Sequence, residues 1–525
     1  MASTNFCPNG SNLTAFFKSD YDDRKFASAA GYLGAGQPAD ETAQKMKTTL
    51  FVLAAAAVLG APAANQTDDL TPKISDGYRG IWYMNQPTKD QHRYKYSGGF
   101  ATYPQQHEPI AIYVPRVRKT FFVFGGSAGH VSERGDELLH LVSYYDHRTK
   151  TVPRPVRLLN KRTEDAHDNP TLSIDADGYL YVFSSAHGVS RPSYIHRSRR
   201  PYDIRDWELI EKTNFSYTQP WYLPQSKQFL FLHTLYKNGQ RTLQFKTSPD
   251  ARKWSSPSML AHIEMGDYQV SWREGNTDRV STMFDLHPAS GRPGTGLNFR
   301  TNLYYAETRD AGSHWTTVDG KPLELPLTTS ANPALVHNFR ADNLNVYIKD
   351  IAFDHRSYPV LVYLTSKGFE PGPESGPFAW YTARWTGSQW EMRHIGDSDH
   401  NYDHGSLYIE ANGAWRLIAP MAPGPQPWGT GGEVVMVTSR DQGRTWKSRA
   451  LTSNSRYNHT YIRKPVNASP EFYAFWADGS ALEPTPSSLY FCTKDGEVYR
   501  LPQHMSGDTA KPERVASPPA TSSRN

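Results

Sequence analysis

Val434-Val-Met-Val-Thr-Ser-Arg-Asp-Gln-Gly-Arg-Thr-Trp446 joins an apolar strand to a turn of pattern Ser-x-Asp-x-Gly-x-Thr-Trp. A looser copy runs Thr308-Arg-Asp-Ala-Gly-Ser-His-Trp315, and degenerate copies end at Trp207, Trp254 and Trp390. In such a turn the aspartate caps backbone N–H groups, the glycine supplies a positive φ, and the tryptophan packs between neighbouring sheets. The expected role is structural rather than ligand binding.

Working outward from these turns, a two-part phrase repeats. Aromatic-rich apolar strands at Thr120–Phe124, Tyr179–Phe183, Phe229–His233, Arg279–Phe284, Pro359–Leu364, Trp415–Pro420 and Phe472–Trp476 are each followed by a second apolar strand. The second members are Leu138–Ser143, Tyr194–Ser198, Leu243–Ser248, Leu303–Thr308, Trp380–Trp385, Val434–Ser439 and Leu489–Lys494. A period of about 50 residues, one four-stranded sheet per unit, is the signature of a β-propeller blade. The chain therefore reads as an all-β, seven-bladed propeller over residues 76–503, with function concentrated around the central axis on one face.

The remaining chain of 525 residues divides simply. Residues 46–64, from Met46 through an apolar core to Ala-Pro-Ala-Ala64, have the layout of a secretory signal and are too short to span a bilayer comfortably. Residues 1–45 then read as a non-native or disordered extension, and the Pro-rich residues 504–525 as a disordered tail. A secreted, extracellular monomer is expected. Of two cysteines, Cys7 precedes the signal and Cys492 lies in the last blade, which predicts no disulfide. Sequons begin at Asn65, Asn214, Asn458 and Asn467, and Asn458 falls where the active site is expected, which argues against a glycan there.

Net charge is +5, with 21% charged and 13% aromatic residues. No Lys/Arg run tracks a phosphate backbone, which disfavours nucleic acid, and no membrane partner is implied. A mild positive balance suits an acidic polysaccharide.

The segments leading into each inner strand carry His, Tyr or Arg in nearly every blade: Gln106-His107-Glu108, His167-Asp168-Asn169-Pro170, Ser216-Tyr217-Thr218-Gln219, Trp272-Arg273-Glu274, His337-Asn338-Phe339-Arg340, Tyr402-Asp403-His404 and Tyr457-Asn458-His459. Imidazole, phenol and guanidinium groups converging on one mouth make a site for an anionic substrate and acid/base chemistry. His167 and His187 bracket a hairpin that turns at Asp177-Gly178, so both imidazoles return to one end of the blade. No third ligand is apparent nearby, so acid/base work ranks above metal binding; no cofactor is required, with room left for a structural metal ion.

The His167-Asp-Asn-Pro170 segment, the Asp175-x-x-Gly-Tyr-x-Tyr-Val-Phe183 hairpin closed by Ala186-His-Gly188, and Tyr217-x-Gln-Pro220 resemble the BNR-type seven-bladed polysaccharide lyases. That group includes ulvan lyases and L-rhamnose-α-1,4-D-glucuronate lyases acting on arabinogalactan side chains such as those of gum arabic. The resemblance covers residues 76–503, with its specific motifs within 100–240. It implies β-elimination at the bond from rhamnose to O4 of glucuronate, with His167, His187 and Tyr217 catalytic. His107, His233, Arg273, Arg340, His404 and His459 are the expected substrate contacts. One departure is visible: where ulvan lyases supply an arginine shortly after the tyrosine, this chain has His233. Because the rim residues are mostly His, Tyr, Asn and Gln, an unsulfated rhamnosyl-glucuronate is expected ahead of sulfated ulvan. Two other classes stay open. A sialidase-like hydrolase shares the turn motif but needs an Arg-Ile-Pro segment, for which Tyr113-Val-Pro-Arg116 is no substitute. A propeller lectin explains the aromatics but not so many histidines.

Overall fold

The computed structural model describes residues 68–516 and 518, apart from 88–90, 93, 101–105, 129–136, 164, 166, 290–297 and 484. The expected extension at 1–45, the signal at 46–64 and Cys7 lie outside the described residues. Seven antiparallel sheets follow one another along the chain as seven blades. Blade 2 is typical: Pro170–Ile174, Leu180–Ser184, Ser193–Ser198 and Trp207–Thr213 pair in sequence order from axis to rim. The aromatic phrases of the sequence form the second and third strands of each blade. These strands are apolar on both faces because each sheet is covered by a blade on either side. Trp380, Trp415 and Trp476 are among the largest side chains buried completely in this way.

The Ser-x-Asp turns behave as capping devices. Ser439 Oγ donates to Asp441 Oδ1 at 2.7 Å, the backbone N–H groups of Arg444 and Thr445 converge on the same oxygen, and Gly443 sits at φ 83°. Trp446 closes on Trp415, with ring centroids 6.4 Å apart. Asp310 receives the His314 amide in the same way, and Trp315 meets Phe245 of the preceding blade.

Ring closure explains a departure from the expected tail. Residues 504–525 do not read as wholly disordered: Thr509–Ala510 pairs with Val152–Pro153 of blade 1, and Glu513–Arg514 adds an edge to blade 7. Their hydrogen bonds come from the backbone, which composition does not report. At the other end, Lys73–Ile74 extends blade 1 and the Tyr78 amide donates to Pro502 O. Tyr78 itself is fully buried against Phe122 and Phe124, its hydroxyl on Ser143 Oγ at 2.6 Å. Segments 73–78 and 502–514 thus fasten blade 7 to blade 1. Cys492 is buried and free, burial pushing its thiol up to about 12.

Candidate active site

The hairpin of blade 2 pairs Leu180 with Ile174 and Ser184 with Pro170. Each strand advances at the same rate from the Asp177-Gly178 turn, so the residues just beyond its open end meet. His167 and His187 stack there with ring centroids 4.0 Å apart and planes 17° from parallel. Stacked imidazoles repel when both are charged, and the device that prevents this is Asp165. Its Oδ1 takes His167 Nδ1 at 2.6 Å and its Oδ2 takes His187 Nδ1 at 2.9 Å. Because a carboxylate only accepts, both Nδ1 atoms carry protons. Arg191 locks the carboxylate, 2.8 Å from Asp165 Oδ2, while gripping Asp168 with two nitrogens at 3.0 and 3.1 Å. Asp168 also receives the His187 amide at 2.7 Å, tying the second histidine to the loop of the first.

The two rings differ in their surroundings. Burial, then the neighbouring His187 charge, pulls His167 down to about 4. Burial also acts against a charged His187, but the Asp165 carboxylate outweighs it and holds this histidine above its usual value. Asp165 is itself pushed up by burial, yet the two histidines bring it well below the carboxylate range. The array near neutral pH is therefore a neutral His167, an anionic Asp165 and a second histidine biased toward its cation.

Blade 3 delivers the phenol. Ser216–Leu223 begins with a β-bulge between Ser216 and Gln219, and Tyr217 inside it adopts φ 50°. This left-handed backbone is costly for a tyrosine and re-aims its side chain out of the sheet's alternation. The ring stands edge-on to His167 at 5.9 Å, and its hydroxyl lies 3.5 Å from that of Tyr236. Tyr217 is 1% exposed, whereas Tyr236 is half-buried and stands edge-on to His187. Burial, followed by the neighbouring tyrosines, raises Tyr217 well above its ordinary value, so it is a neutral phenol.

Two arginines complete the cleft, and neither was expected. Arg241 pairs across the blade 3 hairpin with Tyr236 and lies 4.6 Å over the Tyr268 ring, its Nε enclosed without a hydrogen-bond partner. Arg300 lies 4.2 Å over the same ring and donates to Tyr402 Oη at 2.8 Å. A guanidinium thus stands on the strand that adjoins the one carrying His233. Asp165, Arg191, Tyr236, Arg241, Tyr268 and Arg300 were all missed by the sequence reading. The available signals were an Asp two residues before His167 and a Tyr and Arg flanking the Asn238-Gly239 turn.

Several expected contacts lie elsewhere. His107 is near but serves as support: its Nε2 bonds His167 O at 2.9 Å, and Arg463 in turn holds His107 O at 2.9 Å. His233 is buried against Phe231, and burial drives it down to about 3. His404 donates Nδ1–H to Ile462 O and its Nε2 accepts from Arg463 at 2.8 Å, and His459 sits between Trp476 Nε1 and Ser455 Oγ. Arg340 is paired with Glu264 at 2.8 Å. Arg273 ends its inner strand rather than beginning it, pairing with Val280, and so stands at the opposite mouth of the channel. Asn458 is indeed unsuited to a glycan, but because its side chain is buried and donates to the carbonyls of Gln426, Thr430 and Gly431.

Among the described residues, Asp165, His167 and His187 also form a trio able to ligate a metal, with ligand atoms all within 4.8 Å of one another. The third ligand missing from the sequence reading is therefore present. Both Nδ1 protons are spent on the carboxylate, so the trio is already closed by hydrogen bonds, and a cation would have to displace them.

Residues 140–398 match the profile described as a BNR repeat-containing family member. An ulvan lyase of family PL25 from Pseudoalteromonas sp. (strain PLSV) is 25% identical over 298 residues, 50% of this chain and 60% of that protein. The ulvan lyase of Nonlabens ulvanivorans is 26% identical over 288 residues, 47% of this chain and 60% of its own length. The chain thus spans about three-fifths of these relatives. A solved PL25 ulvan lyase superposes with a TM-score of 0.61 at 16% identity, covering 81% of this chain and 96% of that one. The polysaccharide lyase Uly1 gives a TM-score of 0.52 at 10% identity, covering 82% and 99%. By repeat and by fold this chain is a seven-bladed β-propeller, and over residues 140–398 it is similar to BNR repeat-containing family members.

Proposed function

We propose that the protein is a polysaccharide lyase that opens the rhamnose-α-1,4-glucuronate linkage by β-elimination across C4–O4 of the glucuronate. The observation that carries this reading is the Asp165-bridged histidine pair facing Tyr217 and Tyr236 beside two arginines. Removing H5 from a uronate builds negative charge next to a carboxylate, which is prohibitive unless a cation neutralises it. Arg241, with an enclosed and unpartnered Nε, and Arg300 fill that role. His167 holds its proton on Nδ1, leaving the Nε2 lone pair to take H5 as base. The electron pair then forms the C4–C5 double bond, the C4–O4 bond breaks, and the departing rhamnose oxygen takes a proton from a neutral tyrosine. A phenol with a raised pKa suits the acid and not the base. Tyr236 stands nearer the solvent and passes the proton with Tyr217 behind it.

The linkage is common to ulvan and to arabinogalactan side chains. The relatives are ulvan lyases, and one solved relative is bound to -[GlcA(1-4)Rha3S]-. The scarcity of rim arginines, which favoured the unsulfated substrate, no longer holds once Arg241 and Arg300 are placed. Both arginines nevertheless converge on the ring of Tyr268, an arrangement matched to one carboxylate rather than to a carboxylate and a separate sulfate. Unsulfated rhamnosyl-glucuronate therefore stays the favoured substrate. Incubation with gum arabic and with ulvan in parallel, followed by ultraviolet absorbance of the conjugated 4,5-unsaturated uronate, tests the reading. Absorbance with gum arabic supports both parts, absorbance with ulvan alone overturns the substrate choice, and products without the chromophore overturn elimination.

A further inference from the structure

The opposite mouth of the channel has its own chemistry. The inner strand of blade 3 carries Tyr217 at one end and Trp221 and Tyr222 at the other, so the two mouths stand about 17 Å apart at the rise of an extended strand. There the ends of the inner strands enclose a cavity of about 310 Å³ walled by Tyr113, Tyr202, Trp221 and Tyr222. Arg273 is its one cationic lining residue, beside Asp175, Asn276 and Asn467.

Arg273 is incompletely satisfied. One terminal nitrogen donates to Tyr222 O at 2.5 Å, while its Nε is enclosed and has no partner. Among the described residues it forms no ion pair, because the carboxylates around it are already engaged. Asp278 receives the amides of Gln225 and Ser226 at 2.9 and 2.7 Å. Asp175 receives the amides of Asp177 and Tyr179 and the hydroxyl of Tyr181. A guanidinium withdrawn from water with no carboxylate in hydrogen-bond contact costs free energy that an incoming carboxylate recovers, and its N–H groups donate to carboxylate oxygens. Burial pulls Arg273 down to about 10, with the charge of Asp278 acting only partly against it. Aromatic walls around one fixed cation fit the apolar face of a pyranose that carries an acid group.

We propose that this far mouth is a second, non-catalytic carbohydrate site that binds one uronate residue, with Arg273 taking its carboxylate. The site anchors polymer on the face opposite to the histidine pair, and it exists whether or not the cleft is a lyase. Asn467 opens an Asn-Ala-Ser sequon at the cavity edge, so the test uses protein from a host that does not attach N-glycans.

The experiment is calorimetric titration of the His167→Ala protein with a glucuronate-rhamnose oligosaccharide, repeated with Arg273→Ala added and with the carboxyl-reduced sugar. A second variant, Asn276→Trp, fills the cavity from an exposed turn position and leaves the core untouched. The expected result is loss of one equivalent of binding per chain in both variants, and binding at least about tenfold weaker for the reduced sugar at that site, as for a lost charge-assisted contact. An unchanged number of equivalents in Asn276→Trp, or in a normally folded Arg273→Ala, overturns the proposal. Any equivalent that survives in both reports the near mouth, so failure of the lyase reading shows separately as an absent near-mouth site.

Discussion

Blades 2 and 3 place His167, His187 and Tyr217 at the open ends of their inner hairpins, and blades 6 and 7 place His404 and His459 at the starts of their inner strands. The outcomes are opposite. Around Asp165 each imidazole spends its Nδ1 on a carboxylate and the rings stack beside a cleft. In blade 6 His404 donates Nδ1–H to Ile462 O and accepts from Arg463 at Nε2, and in blade 7 the nitrogens of His459 are consumed by Trp476 and Ser455. Burial drives His404 well below its usual value and lowers His459 too, so both are neutral parts of the core. In the first pair a neighbouring acid fixes the proton of each imidazole, whereas in the second the core does so.

This contrast is broken most directly by substitution in the array. His167→Ala is expected to abolish elimination, and His187→Ala and Tyr217→Phe to lower kcat by roughly 10²-fold or more, the range of lost acid/base groups. If His167→Ala and His187→Ala both folded normally and kept near-normal rates, the assignment of the site would be wrong. Asp165→Asn is expected to cost about 10²-fold by misdirecting the imidazole protons. It also supplies a signature that a merely structural role lacks. The wild-type rate falls in acid as His167 protonates near 4, and in alkali as His187 loses its proton above its ordinary value. Without the carboxylate the attraction that raises His187 is gone, so the alkaline limb moves to lower pH. The measurement is the pH profile of kcat in both proteins, and an unmoved alkaline limb separates His187 from that limb.

Arg241→Ala is expected to lower kcat/KM by about tenfold to a hundredfold through loss of a charge-assisted contact, with Arg241→Lys restoring part of it. Initial rates on a defined oligosaccharide decide this, and full activity in Arg241→Ala would transfer carboxylate neutralisation to Arg300. The smallest kinetic effect belongs to the contrasting histidines. His404→Ala and His459→Ala are expected to cost about 1–3 kcal/mol of stability, because each leaves buried polar partners unpaired, while kcat stays within a few-fold of wild type. Thermal melts beside kcat measure both, and a large kcat loss without destabilisation would place either histidine in the chemistry after all.

The repeat of aromatic strands and the Ser-x-Asp turns alone determined the seven blades, because a strand covered on both faces must be apolar throughout and a tight turn needs its capping acid and glycine. The Asp177-Gly178 hairpin likewise brought His167 and His187 together, since equal strand lengths return two residues to one end. What only the tertiary structure decided was which polar groups share a cleft. Arg273 lies five positions after Tyr268 along one strand and so reaches the other mouth, a distinction that needs the strand's true start at Gln269. Arg241 and Arg300 come from different blades and meet over Tyr268 only when blades 3 and 4 pack side by side. Burial, which turned His233, His404 and His459 into core residues, depends on neighbours far away in sequence, and so do the backbone pairings that hold 509–514.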